Sequence, residues 1–169
     1  MVHSELFSSV KAAFDREGWA FTEVEGREVL TCGFEAHHTR VNLHVQTFQQ
    51  MRAVSVVSES ALRTSNPLQR DRLAELVMRV NHTLTVGAFE LQWDIGQIIF
   101  RITNLFPTPQ GDIDIIAGLV HNVVAEMDRI SPMETLLHRA EGPELAGIDI
   151  LELINREDLL PEVPVPQGE

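Results

Sequence analysis

Apolar residues recur at helical spacing over Leu73, Leu76, Val77, Val80 and Leu84, then at every second position over Phe89, Leu91 and Trp93. The run Ile98–Ile102 answers the second set. This switch of period from 3.6 to 2 predicts a helix docked on the antiparallel hairpin that follows it, turned at Trp93-Asp94-Ile95-Gly96. Asn66-Pro67 supplies an Asx cap with proline at the first helical position, so the helix runs from there to about Leu84.

The same reading extends in both directions. Ser4 caps a first helix with the stripe Leu6, Phe7, Val10 and Phe14, and Gly18 offers its left-handed stop. Trp19, Phe21 and Glu23 begin an extended segment. Val29–Phe34, Val41–Phe48 and Ala53–Ser58 then read as strands joined by turns at Ala36–Thr39 and Gln49–Arg52. In the middle strand Val41, Leu43 and Val45 face one way and Asn42, His44 and Gln46 the other, the pattern of a half-buried strand. After the hairpin, Pro107–Gly111 breaks the sheet and Asp112 or Asp114 starts a third helix. Its apolar face, Ile116, Leu119, Val120, Val123, Val124 and Met127, is wider than a surface helix needs. Ser131-Pro132-Met133-Glu134 reads as a capping box, so a short fourth helix or a kinked continuation follows to about Arg139. The order α-β-β-β-β-α-β-β-α predicts an α+β domain with one antiparallel sheet of five to six strands and helices packed on it. It excludes a doubly wound nucleotide fold, which needs alternating β and α.

That order resembles the YbjN-type domain, a bacterial family linked by name to sensory transduction and regulation, with a type III secretion chaperone-like fold. The resemblance covers about residues 3–130. It rests on the helix end at Gly18-Trp19, the strand end Gly33-Phe34-Glu35, Asn81, the strand Gly87-Ala88-Phe89-Glu90-Leu91, Ile98–Ile102 and the long apolar helix. Secretion chaperones of this fold are small acidic homodimers that hold an unfolded stretch of another protein along their surfaces. The resemblance therefore implies a protein-binding, non-enzymatic domain, with residues 1–140 as its body. Residues 141–169 form an acidic, proline-containing tail, partly disordered or folded as a short docking helix. Within the tail, Ile148, Leu151 and Ile154 are spaced for one or two amphipathic turns, and Leu159–Glu169 reads as disordered.

Composition narrows the function classes. With 169 residues and 44% hydrophobic content the chain can build a core without metal or disulfide. No apolar run approaches a membrane span and no leader opens the chain, so a cytoplasmic location is expected and the sequon Asn81-His82-Thr83 has no meaning there. The net charge of −12, with eight acids against the single base Arg156 from Glu141 onward, disfavours nucleic acid and anionic membrane as partners.

Candidate chemistry is sparse. Cys32 lies in an apolar strand pattern, where a thiol is inert. His37-His38, His44, His82 and His121 show no metal-ligand spacing, Asp112 and Asp114 suit a helix start, and no glycine-rich phosphate cradle or nucleophile elbow occurs. The sequence thus predicts no catalytic residue, cofactor or metal. The excess apolar width of the third helix instead predicts a surface for a second copy or another protein or peptide, at Val120, Val124 and Met127. The alternative is a small-ligand sensor or enzyme with a pocket between sheet and helices.

Overall fold

A computed structural model describes residues 3–159. Its elements are α1 (Glu5–Glu17), β1 (Thr22–Glu23), β2 (Val29–Glu35), β3 (Arg40–Phe48), β4 (Ala53–Glu59), α2 (Pro67–Asn81), β5 (Ala88–Gln92), β6 (Gln97–Leu105), α3 (Ile113–Arg139), α4 (Gly142–Gly147) and α5 (Ile150–Ile154). The strands form one six-stranded antiparallel sheet in the order β1-β2-β3-β4-β6-β5, the α+β architecture that the periodicity predicts.

Local signals set most of the boundaries. Ser4 Oγ accepts from the Phe7 N–H, and Gly18 closes α1 with φ 71°. Asn66 Oδ1 accepts from the N–H groups of Leu68 and Gln69, and Asp112 does the same for Asp114 and Ile115. Two boundaries differ from expectation. α2 ends at Asn81 rather than Leu84, because the Asn81 amide turns outward to β5: its Nδ2 donates to the Phe89 carbonyl at 2.8 Å and its Oδ1 accepts from the Phe89 N–H at 2.7 Å. One side chain so occupies the outer edge of β5, which would otherwise present unpaired backbone groups. α3 also continues unbroken through Pro132, and no fourth helix starts at Ser131. Pro132 cannot donate to the Asp128 carbonyl. Burial of Met133, Glu134 and Leu137 against the body nevertheless holds the helix together.

In register across the sheet, Leu30, Val45, Val56 and Ile102 lie opposite one another, as do Leu43, Ser58, Phe100 and Phe89. These residues (Ser58 excepted) form one hydrophobic cluster with the buried faces of α1, α2 and α3. The intervening row, Thr31, His44, Val57, Arg101 and Ala88, points away from that cluster. The three long helices thus cover one face of the sheet and leave the other without a helical layer.

α3 contacts α1, α2 and strands β3, β4 and β6. That enclosure uses its broad apolar face. Val120 is 0% exposed and Met127 5%, and the half-buried Val124 also packs against the core. The expectation of a partner surface at Val120, Val124 and Met127 is therefore corrected: the cover these residues need comes from within the chain. Past Ala140, α4 and α5 lie on α2. They bury Leu145, Ile150 and Leu153 in the same cluster, whereas Leu151, placed on the apolar stripe by its spacing, is 54% exposed. The expectation of disorder over Leu159–Glu169 falls almost wholly outside the described residues.

Candidate functional site

The face without helices carries a groove of about 590 Å³ lined by Thr31, Gly33, Arg40, Asn42, His44, Glu59, Ser60, Arg63 and Gln97 among others. Strand pairing builds it. Gly33 lies opposite Asn42, Thr31 opposite His44 and Glu59 opposite Ile99, so alternate residues of β2, β3 and β4 share the floor. Gly33 keeps that floor low: a Cβ there would come within 2.7 Å of both an Arg40 guanidinium nitrogen and Asn42 Oδ1. Arg40 is held across it by hydrogen bonds to Glu35 and Asn42. Arg63 makes no ion pair among the described residues. Burial pushes His44 below the usual histidine range, Glu59 opposes that shift and Arg101 adds to it. A groove of mixed charge results, within a strongly acidic chain.

Its outer rim is an unfinished sheet edge. Ala36 N–H donates to Thr39 C=O at 3.0 Å, and Thr47 N–H donates to Glu28 C=O at 3.1 Å. The alternation of an antiparallel ladder between these two bonds turns Leu30, Cys32 and Phe34 toward β3, and Val29, Thr31, Gly33 and Glu35 outward. The bond from Val24 N–H to Val29 C=O agrees with that phase. β1 pairs only with Leu30 and Thr31, so the outward N–H and C=O groups of Gly33 and Glu35 lie beyond its end. The β2–β3 turn behind this edge is fixed from below, since Asp128 Oδ1 on α3 accepts from the N–H groups of His38 and Thr39 at 2.6 and 3.1 Å.

One end of the groove leads over Ser60 to a crevice of about 40 Å³ that shares Arg40, Glu59 and Ser60 with it and adds Met127, Ser131 and Glu134. Glu134 is 3% exposed. Its Oε2 accepts from Ser60 Oγ at 2.8 Å, while Oε1 has no hydrogen-bond partner and stands 3.9 Å from the equally unpartnered Nε2 of His138, one turn on. Burial pushes the Glu134 carboxyl up to about 7, with the Ser60 hydroxyl opposing, and burial pushes His138 below its ordinary value. Both groups therefore favour their uncharged forms.

These shifts set a pH profile. An unfolded chain ionises Glu134 first, so its contribution to stability is present below about pH 4.5 and is lost as pH rises through about 7, an effect of about 3 kcal/mol. His138 acts oppositely: the unfolded chain takes up its proton first, and stability falls as pH drops below the ordinary value of 6.5. Glu28 is held low by bonds from Ser4 N–H, Ser4 Oγ and Thr47 Oγ1 that outweigh its desolvation, so its contribution is lost as pH falls through its lowered folded value. Urea unfolding across pH should therefore show Glu134 lowering stability mainly between about pH 4.5 and 7, so that the parent loses more stability over this range than Glu134→Gln. Parallel profiles for the parent and Glu134→Gln contradict the assignment.

The other residues weighed from sequence have structural surroundings. Burial pushes the half-buried Cys32 thiol up to about 12, which removes its reactivity at neutral pH. Asp112 caps α3, and Asp114 bonds Arg16 at 2.7 Å. His37 and His38 stack edge-on with ring centres 4.5 Å apart, His121 packs edge-on against Trp19, and His82 caps α2. No group of three His, Cys, Asp or Glu side chains converges as metal ligands, and no helix is long and apolar enough to cross a membrane, among the described residues. Sequence reasoning missed Ser60, Glu134 and His138 as a group. The signal available was the spacing of Glu134 and His138, two ionisable residues one turn apart that flank the apolar positions Met133 and Leu137.

No family model matches the chain, and no curated protein matches its sequence. Its fold does have a solved counterpart, the crystal structure of "YbjN, a putative transcription regulator from E. coli". The two share 10% sequence identity with a TM-score of 0.50, over 77% of this chain and 87% of that one. The chain thus has a YbjN-like fold.

Proposed function

We propose that this domain binds an extended segment of another protein, which adds as a strand beside Gly33 and Glu35 and lays alternate side chains in the groove. The observation that carries this reading is the edge itself. β1 stops after two residues and leaves outward backbone groups on β2 beside the groove. Backbone hydrogen bonds along such an edge supply affinity without regard to sequence, and pockets for alternate side chains supply selectivity. The protein-binding role that the YbjN resemblance implies supports this reading. The reading needs no second copy, because α3, whose width suggested one, is covered within the chain.

A selection of short random peptides against the immobilised protein tests it. Glu35→Pro removes one outward N–H and no ladder bond, as edge positions of a sheet permit. Enriched peptides should bind this variant roughly tenfold more weakly, the loss of about one hydrogen bond, while its unfolding midpoint stays near that of the parent. Glu35→Ala, which breaks the ion pair with Arg40 but keeps the N–H, should bind as the parent does. No enrichment, or equal binding by Glu35→Pro, refutes strand addition.

A further inference from the structure

Gly33 and Arg40 meet at the outer rim of the groove. Gly33 lies opposite Asn42 in the β2–β3 register, and Glu35 lies opposite Arg40. Positions two apart on a strand point the same way, so the side chains of Glu35, Arg40 and Asn42 stand on the face that Gly33 leaves empty. The Arg40 guanidinium settles into that gap: its Nη2 lies 2.7 Å, and its central carbon 3.3 Å, from where a Cβ on Gly33 would stand. Two of its nitrogens are bonded within the chain, Nε to Asn42 Oδ1 at 3.3 Å and Nη1 to Glu35 Oε1. One face of the group thus rests on the β2 backbone and two of its donors are engaged. The side chain is nevertheless 58% exposed, which leaves the opposite face open to the groove. We propose that this face is what the groove selects with: the segment added beside β2 carries an aromatic residue opposite Gly33, and its ring stacks on Arg40.

The chemistry of the place favours a ring. In an antiparallel segment, the residue directly opposite Gly33 exchanges both backbone bonds with it and projects its side chain on the same face. Gly33 offers no side chain to meet it, so the first surface it reaches is the guanidinium. A cross-strand aromatic is the usual cover for a glycine at a sheet edge, and here the planar cation lies between the two. An aromatic face attracts that cation and stacks on its plane, whereas an aliphatic side chain covers it without the electrostatic gain. A carboxylate is the rival occupant. Glu35 already holds Nη1 and Glu59 lines the same groove, so another acid on this guanidinium would stand among acids in a chain of net charge −12. The seat on Gly33 and the bond to Asn42 keep the guanidinium in place without Glu35, in keeping with the unchanged binding expected of Glu35→Ala.

The inference rests on the strand-addition reading, and the peptides enriched by the selection separate the two. They should share an aromatic residue at one position. Exchanging it for leucine keeps an apolar side chain and removes the ring. That exchange should weaken binding to the parent roughly two- to fivefold, the range of a cation–π contact at an exposed site, and leave binding to Arg40→Gln unchanged. In the parent complex the side-chain protons of Arg40 should move upfield with the aromatic peptide and not with its leucine counterpart. Gly33→Ala is the second variant. The nearest atoms its Cβ would meet all belong to the Arg40 and Asn42 side chains, so it pushes the guanidinium away and spares the backbone. It should lose the preference for the ring although Arg40 is still present. Enriched peptides without a shared aromatic, an acid at that position instead, or a leucine exchange that costs the parent and Arg40→Gln alike overturns the stacking, and strand addition survives if Glu35→Pro still weakens binding. If no peptide is enriched, strand addition itself fails, and the stacking with it.

Discussion

Ending the chain after Ala140 is expected to cost about 5 kcal/mol of stability, a large part of what a domain of this size possesses. Leu145, Ile150 and Leu153 are each at most 3% exposed, and each is worth roughly 1.5–3 kcal/mol when fully buried. Their removal also uncovers α2, which α4 and α5 contact. The composition of residues 141–169 reads as a tail, acidic and proline-containing, and in a tail truncation would be harmless. Thermal unfolding followed by circular dichroism decides it. A truncated chain that melts within a few degrees of the full one shows that these three leucine and isoleucine side chains contribute nothing to the core.

Gly96→Ala is expected to cost about 3 kcal/mol, well above the usual penalty for a turn substitution. Gly96 closes the β5–β6 hairpin with φ +57°, where an L-residue pays roughly 1–2 kcal/mol. Space adds to that. A Cβ would stand 2.4 Å from the Thr64 carbonyl oxygen and 2.6 Å from Thr64 Cγ2, and the first of these is backbone that cannot swing aside. Thr64 belongs to the loop that leaves Ser60, and its N–H donates to the Ile95 carbonyl, so the substitution should also loosen the groove wall. Gly26→Ala is the control: φ is +73° but nothing lies within 4 Å of a Cβ, so only the backbone penalty applies. Equal losses for the two variants, measured by urea unfolding, would show that the close approach of the Thr64 loop has no energetic weight.

What could be read from the chain followed the range of the forces involved. Caps at Ser4, Asn66 and Asp112, the stop at Gly18 and the alternation in β3 are set by neighbours in sequence, and they were legible. The continuity of α3 was not, because Ser131-Pro132-Met133-Glu134 carries every local mark of a helix start. Burial of Met133, Glu134 and Leu137 overrides it, and that burial depends on what lies across the interface. The broad face of α3 was seen, but an apolar stripe does not say whether its cover comes from the same chain. Here α1, α2 and three strands provide it. In the C-terminal segment a stripe through Leu151 was one residue out of phase with the buried pair Ile150 and Leu153, since two short helices with a break at Ile148 do not keep a single period. The site was the least legible part. That Gly33 and Glu35 lie on a free edge depends on strand order and on how soon β1 ends. Ser60 and Glu134 are 74 residues apart.

Hydrogen exchange of the β2 amides, with and without a selected peptide, tests the central claim most directly. Gly33 and Glu35 lie one residue apart from each inward-bonded neighbour, so the account predicts that their amides, fast in the free protein, become protected on binding while Cys32 and Phe34 change little. Binding that leaves Gly33 and Glu35 in fast exchange, or that protects α2 and α5 instead, would contradict it.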